Sequence, residues 1–294
     1  MAYFKNKRFA GIAPGVNPLL LAEQFGQTAQ NIDFESGKLV PIKGNTDTYT
    51  LQNSARRSIY FYRDTNWLEW PNDGVDAVQG PIANDTNERL YYTGDDYPRV
   101  GTVTSMITGS SGYPVVSYRL GVPAPSAAPS ITKSGTASAN ETPETRAYVY
   151  TLVTDLGEEG PPSAASSTLE VTSTEAVAVS MPTSANPSGN YFFSTNAKKR
   201  IYRSNTGSAF TNFQFVAEVA YATTSYTDSI ASSALGEVLP SGTWIGPPDD
   251  NSSLYPDGPM LGLTAVGNGV FAGFSGKRFC LSEPFLPHAW PIDY

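Results

Sequence analysis

Apolar residues in this chain fall in short runs that alternate with polar ones and are broken repeatedly by Gly, Pro, Asn or Asp. Alternation with a period of two puts successive side chains on opposite faces of a strand, and such breaks turn one strand into the next. The pattern therefore restricts the chain to many short antiparallel strands. Its clearest instance is Thr145–Val153, with Tyr148, Tyr150 and Leu152 on one face and Val149, Thr151 and Val153 on the other.

The same pattern organises the rest. One helical turn is expected around Leu19 to Phe25, followed by a hairpin over Asn31–Pro41 that turns at Ser36-Gly37. Ser58–Tyr62 and Trp67–Trp70 flank a polar turn at Arg63–Asn66, giving a second hairpin. Arg89–Thr93 reads as a strand entering the loop Gly94–Arg99, and Val115–Leu120 extends toward a segment rich in Pro, Ala and Ser, Gly121–Ser130. That composition shift marks a domain boundary. Beyond it, strands are expected at Thr168–Thr172, Ala176–Met181, Lys199–Ser204, Phe213–Ala220 and Ser225–Asp228, at the spacing of a β-sandwich. After the Gly/Pro/Asp-rich stretch Gly236–Pro259, the runs Leu261–Val266, Val270–Phe274 and Arg278–Leu281 form a meander. Its first turn, Asn268-Gly269, suits a type I′ turn, in which both central residues take positive φ. A meander of this kind is the repeating element of a propeller blade.

The expected fold is all-β: a propeller-like β-hairpin domain in 1–122 and 239–294, interrupted at 123–238 by an immunoglobulin- or fibronectin-like β-sandwich. Blades outside the insertion are too few for a closed propeller, and Ala289–Tyr294 reads like the middle of a sequence, so neighbouring subunits or further chain are expected to complete it.

Composition narrows the function. Only 16% of the 294 residues are charged, against roughly a quarter in ordinary soluble domains, and the net charge is −8 with a pI near 4.7. Such a surface repels polyphosphates on average, which argues against sequence-specific nucleic-acid binding. Cys280 is the one cysteine and His288 the one histidine, so neither an intrachain disulfide nor a Cys/His zinc cluster can be built from one chain. His288 and Cys280 are expected in structural roles, and no Gly-x-Ser-x-Gly elbow or phosphate-binding glycine loop is present. Met1–Leu21 carries Lys5, Lys7 and Arg8, but Pro14, Asn17 and Pro18 break its apolar residues, so neither a signal peptide nor a membrane span is expected.

Adjacent acids at Asp95-Asp96, Glu158-Glu159 and Asp249-Asp250 could serve hydrolysis of a glycosidic bond, which needs two carboxylates on one cleft. Neighbours in an extended segment point to opposite faces, however, so the pairs are expected to be loop charges. Two groups could form an interface or binding surface. Lys199 and Arg200, with Tyr202 and Arg203, make a basic run that could meet an acidic partner. Trp67 and Trp70 could form an aromatic platform for sugar or for another subunit. No catalytic residue, metal or cofactor is expected.

Three stretches together resemble a known family: Ala29–Asp33 through Gly37–Pro41, the module around Tyr150–Ser163, and Gly269–Phe274 through Ser282-Glu283-Pro284 and Pro287–Pro291. They are similar to tailed-bacteriophage virion proteins of the tail-tube or nozzle kind, where propeller-like hairpins carry an inserted fibronectin-like module. The resemblance implies a non-enzymatic ring component of a phage tail around the DNA exit path. Its partners would be copies of itself and other tail proteins such as an adaptor and fibres, with DNA only as passing cargo and no membrane insertion. The virion would be its location, after synthesis in the host cytoplasm. Two alternatives stand beside this: a carbohydrate- or receptor-binding module of a phage or surface adhesin, and a polysaccharide-degrading tail enzyme.

Overall fold

The computed structural model describes residues 8–44, 46, 49–52, 54–109, 112, 114–206 and 211–291. Lys5, Lys7 and Ile292–Tyr294 lie outside the described residues. The chain is all-β among these residues, apart from one five-residue helix and four single 3-10 turns. No helix among them is long and apolar enough to cross a membrane. The contact network divides the chain after Thr50.

Residues up to Thr50 form a small unit of two-residue strands. Gly11–Ile12 (β1) pairs in parallel with Phe25–Gly26 (β2), and Ile32–Asp33 (β3) pairs antiparallel with Val40–Pro41 (β4). The β3–β4 hairpin has Gly37 at φ 70, and the Gly37 N–H closes onto the Phe34 C=O at 2.8 Å. Phe9 and Phe34 stack with centroids 4.9 Å apart. The helical turn expected over Leu19–Phe25 is displaced: a 3-10 turn covers Pro18–Leu20, and Phe25 is in a strand. Pro18 supplies a fixed φ at its first position, and the Asn17 side chain accepts from the Leu19 N–H at 3.0 Å. None of the described residues of this unit is buried.

The larger unit, from Leu51, contains two layered assemblies. In the first, Ser58–Tyr62 (β5) and Asn66–Trp70 (β6) form the expected hairpin, closed by Arg63 and Asp64 at φ 56 and 53. Asp76–Gln79 (β7), Leu90–Thr93 (β8), Arg99–Gly101 (β9) and Tyr118–Arg119 (β10) form one antiparallel sheet in the order β10-β9-β8-β7. Between β9 and β10 lies the helix Val103–Ile107 (α1). Its capping box is reciprocal: Thr102 accepts from the Ser105 N–H, and Ser105 Oγ accepts from the Thr102 N–H.

Strand β8 is buried on both faces, and this sets the stacking. Leu90 and Tyr92 pack with Tyr62, Leu68 and Trp70 of the hairpin and with Met106 of α1. Tyr91, one residue out of phase, packs on the opposite side with Val100, Met260, Leu263, Phe271 and Trp290. That second core is shared with a three-stranded meander, through Leu263 and Phe271. Hairpin, four-stranded sheet and meander are thus stacked face to face.

Gly94, just past β8, carries φ +91, and a Cβ there would lie 2.4 Å from the Gly74 carbonyl oxygen. Gly94→Ala is therefore expected to cost about 2–4 kcal/mol, since strained φ and a backbone clash act together. A urea midpoint equal to that of the parent would show that the close approach is not required.

The second assembly follows residue 129. Its strands are Ser130–Gly135 (β11), Glu144–Arg146 (β12), Tyr148–Val153 (β13), Leu169–Val171 (β14), Glu175–Ser180 (β15), Lys198–Thr206 (β16), Thr211–Ala220 (β17) and Ser225–Asp228 (β18). Sheets β11-β15-β18 and β13-β16-β17 face each other, with β12-β14 alongside. One core joins them, through Ile131, Val177 and Val179 from one sheet and Tyr148, Tyr150, Leu152 and Ile201 from the other. All six residues of β13 are buried, so its two predicted faces are both covered. The Pro/Ala/Ser-rich segment ends in strand β11 at Ser130.

Leu261–Ala265 (β19), Phe271–Ser275 (β20) and Arg278–Leu281 (β21) make the expected meander. Asn268 and Gly269 take φ 60 and 72 in its first turn, and the Val270 N–H closes the turn onto the Gly267 C=O at 3.4 Å.

Candidate functional site

Of the three acid pairs expected as loop charges, Glu158-Glu159 is buried and its two members face different partners, whereas each of the other two pairs converges on one arginine. Glu158 and Glu159 lie in the loop after β13, and both are buried. Glu158 faces the stacked sheets, where Arg89 Nη1 donates to its Oε1 at 3.1 Å and Arg89 Nε donates to Asp85 at 2.6 Å. Glu159 faces the sandwich and accepts from Thr151 Oγ1 and the Tyr202 hydroxyl, each at 2.7 Å, and from Arg200 Nη1 at 2.8 Å. The pair fastens the sandwich to the stack. Leu156 of the same loop enters the Tyr91 core, and Tyr118 of β10 stacks on Phe192 of the sandwich at 4.2 Å.

Asp249 and Asp250 grip Arg119 of β10, at 3.2 Å from Asp249 and at 2.6 and 3.0 Å from Asp250. The Arg119 hydrogen bond holds the Asp250 carboxyl below the ordinary range. Arg119 and Arg99 both lie over the Tyr97 ring, 3.7 and 4.2 Å from its centre. Asp95 pairs with Arg99 at 3.3 Å and accepts from Asn72, and Asp96, exposed at φ 64, also reaches Arg99 at 3.5 Å.

His288 is buried beside Glu158, 4.0 Å from Nδ1 to Oε1, with the Trp244 ring edge-on at 5.9 Å. Burial lowers its pKa, which disfavours the imidazolium. Cys280 is half-buried on β21, and burial raises its thiol pKa. Among the described residues, no group of three or more His, Cys, Asp and Glu side chains could hold a metal ion.

The basic run does not form a patch. In β16, Lys199 and Arg203 share the face of Ile201, which points into the sandwich core, and both are fully buried. Lys199 Nζ donates to the Thr223 C=O at 2.9 Å, and burial lowers its pKa. Arg203 is clamped by Asp228 at 2.7 Å. On the opposite face Arg200 bridges Glu159 and Glu218, and Tyr202 is buried with its hydroxyl on Glu159. Charge in this run serves internal pairing.

Trp67 and Trp70 do not form one platform either, because residues three apart in a strand face opposite ways. Trp70 points inward, 5.1 Å from Tyr92, while Trp67 packs on Phe61 on the outer face at 4.7 Å. Trp70 does line a polar cleft of about 360 Å³, with Arg56, Glu69, Tyr92, Asp95 and Arg99. Within it the Tyr92 hydroxyl donates to Ser117 Oγ at 2.7 Å, and burial pushes that phenol up to about 12.

What the sequence pattern did not expose is the chemistry of the outer faces. Ile59 and Phe61 are exposed on β5, at one end of the stack. At the other end, the cross-strand neighbours Leu261, Phe274 and Phe279 form an exposed apolar row over all three meander strands. Phe285 is also exposed, at φ 60, a backbone conformation rare for a bulky residue, and its ring leans over Gly269. Period-two parity would have placed Phe274 on the face opposite Phe271, but only the structure tells which face is covered.

No protein-family model matches this chain, and no curated protein matches it in sequence.

Proposed function

We propose that the chain is a structural component of a bacteriophage tail, forming a ring or nozzle around the DNA exit path with copies of itself and other tail proteins. The observation that carries the assembly part of this reading is the pair of exposed apolar sheet faces, Ile59/Phe61 and Leu261/Phe274/Phe279, at opposite ends of one face-to-face stack. Exposed, contiguous apolar surface on a folded chain marks contact with another macromolecule. A chain whose two ends are both unsatisfied suits head-to-tail contacts, which close into rings when the rotation allows. The acidic average, at a net charge of −8, suits a passage that DNA crosses without sticking. The phage assignment itself rests on the resemblance of the 29–41, 150–163 and 269–291 stretches. The chain is expected to band with purified particles in a density gradient; its absence from intact particles would discard the virion reading.

A second reading, saccharide binding, is favoured by the cleft that joins Trp70 to Glu69 and Asp95. Binding on a glycan array that disappears with Arg56→Ala would promote it over the first.

A further inference from the structure

His288 lies buried in the seam between the sandwich and the stacked sheets, and its turn holds it there. The Glu283 N–H donates to the Ala289 C=O at 2.9 Å, the Trp290 indole N–H donates to the Pro287 C=O at 2.9 Å, and the Trp290 backbone N–H donates to the Ile245 C=O at 2.8 Å. Trp290 is itself part of the Tyr91 core. The imidazole therefore cannot swing out to water without unpacking that core.

The groups facing it come from several elements. The loop after β13 brings the Glu158 carboxylate to 4.0 Å from Nδ1, with Glu159 beside it turned toward Arg200. The approach to β8 brings Arg89, which donates to the same Glu158 oxygen at 3.1 Å and to Asp85 at 2.6 Å. The segment Ser241–Ile245 brings the Trp244 ring and no charge, and Glu283 is the one other titratable side chain of the histidine's own turn.

Charging the imidazole in this setting is costly. Neither ring nitrogen makes a well-formed hydrogen bond, so an imidazolium buries two N–H donors, of which Glu158 is placed to take one. To take it, the 4.0 Å separation must close to about 2.8 Å, the length of a charge-assisted hydrogen bond, on an oxygen that Arg89 already occupies. The histidine's turn is fixed, so the movement falls on the 154–160 loop. Burial and the Arg89 charge oppose the imidazolium, the two carboxylates and the Glu159 backbone favour it, and burial prevails to lower the pKa.

We propose that His288 is an acid-sensitive latch: protonation of its imidazole releases the 154–160 loop, and with it Leu156, from the stack while both cores stay folded. The closed seam keeps His288 neutral. Closure is therefore fully supported above the ordinary imidazole pKa of about 6.5 and is lost as pH falls through that value toward the lower one of the closed form. At about pH 5.5 a freed imidazole is about nine-tenths protonated, which favours opening by up to about tenfold. The latch needs a single copy and is independent of the assembly reading.

His288 is the only histidine, so the imidazole proton resonances of the full chain report on it alone. They are followed from pH 8 to pH 5, beside hydrogen exchange read by mass spectrometry at pH 7.5 and pH 5.5 with labelling times scaled for intrinsic rates. The expected midpoint lies below the ordinary value of about 6.5, and peptides covering 154–160 should exchange up to about tenfold faster at the lower pH, with β16 and β20 unchanged. His288→Phe keeps an aromatic ring beside Trp244 and carries no charge, so its loop should stay protected at both pH values. A midpoint at or above the ordinary value, a wild-type loop indifferent to acid, or an equal acid response in His288→Phe would each overturn the proposal. Should the phenylalanine variant fail to fold, wild type alone decides: loop exchange that does not follow the imidazole midpoint overturns the latch, and exchange that follows it upholds it.

Discussion

Asp228→Ala should lower stability by about 3–5 kcal/mol, the range for removing one partner of a buried ion pair. Asp228 and Arg203 are both fully buried. Asp228 Oδ2 accepts from Arg203 Nη1 and from the Tyr148 hydroxyl, each at 2.7 Å, and Oδ1 accepts from the Ile230 N–H at 2.9 Å. Arg203 sits in one sheet of the sandwich and Asp228 in the other, so the pair clamps the two layers. With alanine at 228 the guanidinium keeps hydrogen bonds to the Ile230 carbonyl and the Ser232 hydroxyl but loses the carboxylate in direct contact with it. The double variant Arg203→Met/Asp228→Leu removes both charges and should recover most of the loss. Denaturant midpoints for the three chains check this. A single variant within experimental error of wild type would mean that water reaches the pair.

The second large effect is alkaline unfolding between pH 10 and 12. Burial pushes the phenols of Tyr62 and Tyr92 up to about 12, and those of Tyr91, Tyr148 and Tyr202 are raised as well. For a raised acid the folded state keeps its proton while the unfolded chain releases it near pH 10. The unfolded state then binds fewer protons, and stability falls as pH rises through that window. Two phenols shifted by about two units contribute on the order of 5 kcal/mol together, comparable with the whole stability of a typical domain. Buried Lys199 acts in the opposite sense, because its lowered pKa is relieved as pH rises, but it is one group against five. Phenolate absorbance should therefore lag and then rise together with the loss of circular dichroism. A smooth titration centred near pH 10 in a chain that keeps its fold would contradict the burial of these tyrosines.

These two cases show what was legible in the sequence. The β5–β6 hairpin, the β13 alternation and the β19–β21 meander depend on turn chemistry and period-two patterning within a few residues, and they lie where that pattern puts them. The parting of Glu158 from Glu159 follows from the same parity. Parity also contains the correction to the basic run: Lys199 and Arg203 flank Ile201 at the spacing of one strand face, so an apolar centre marks that face as inward. What the run lacked locally was its partner, since Asp228 lies twenty-five residues on and in the other sheet. At three residues, β9 carries too little pattern to separate from a loop, and the run Thr145–Val153, read as one strand, is split at Ala147 into β12, which pairs with β14, and β13, which pairs with β16. The N-terminal unit was legible as a hairpin but not as a unit without an interior, because strands of two residues carry no pattern that separates an inner from an outer face.

The central claim is that this chain is built to be one of several identical copies in a particle. Absolute quantification of its peptides against a major capsid protein in gradient-purified particles tests it most directly. The account predicts a small, fixed number of copies per particle that matches a ring symmetry. A copy number well below one, or one that varies between preparations, would contradict it.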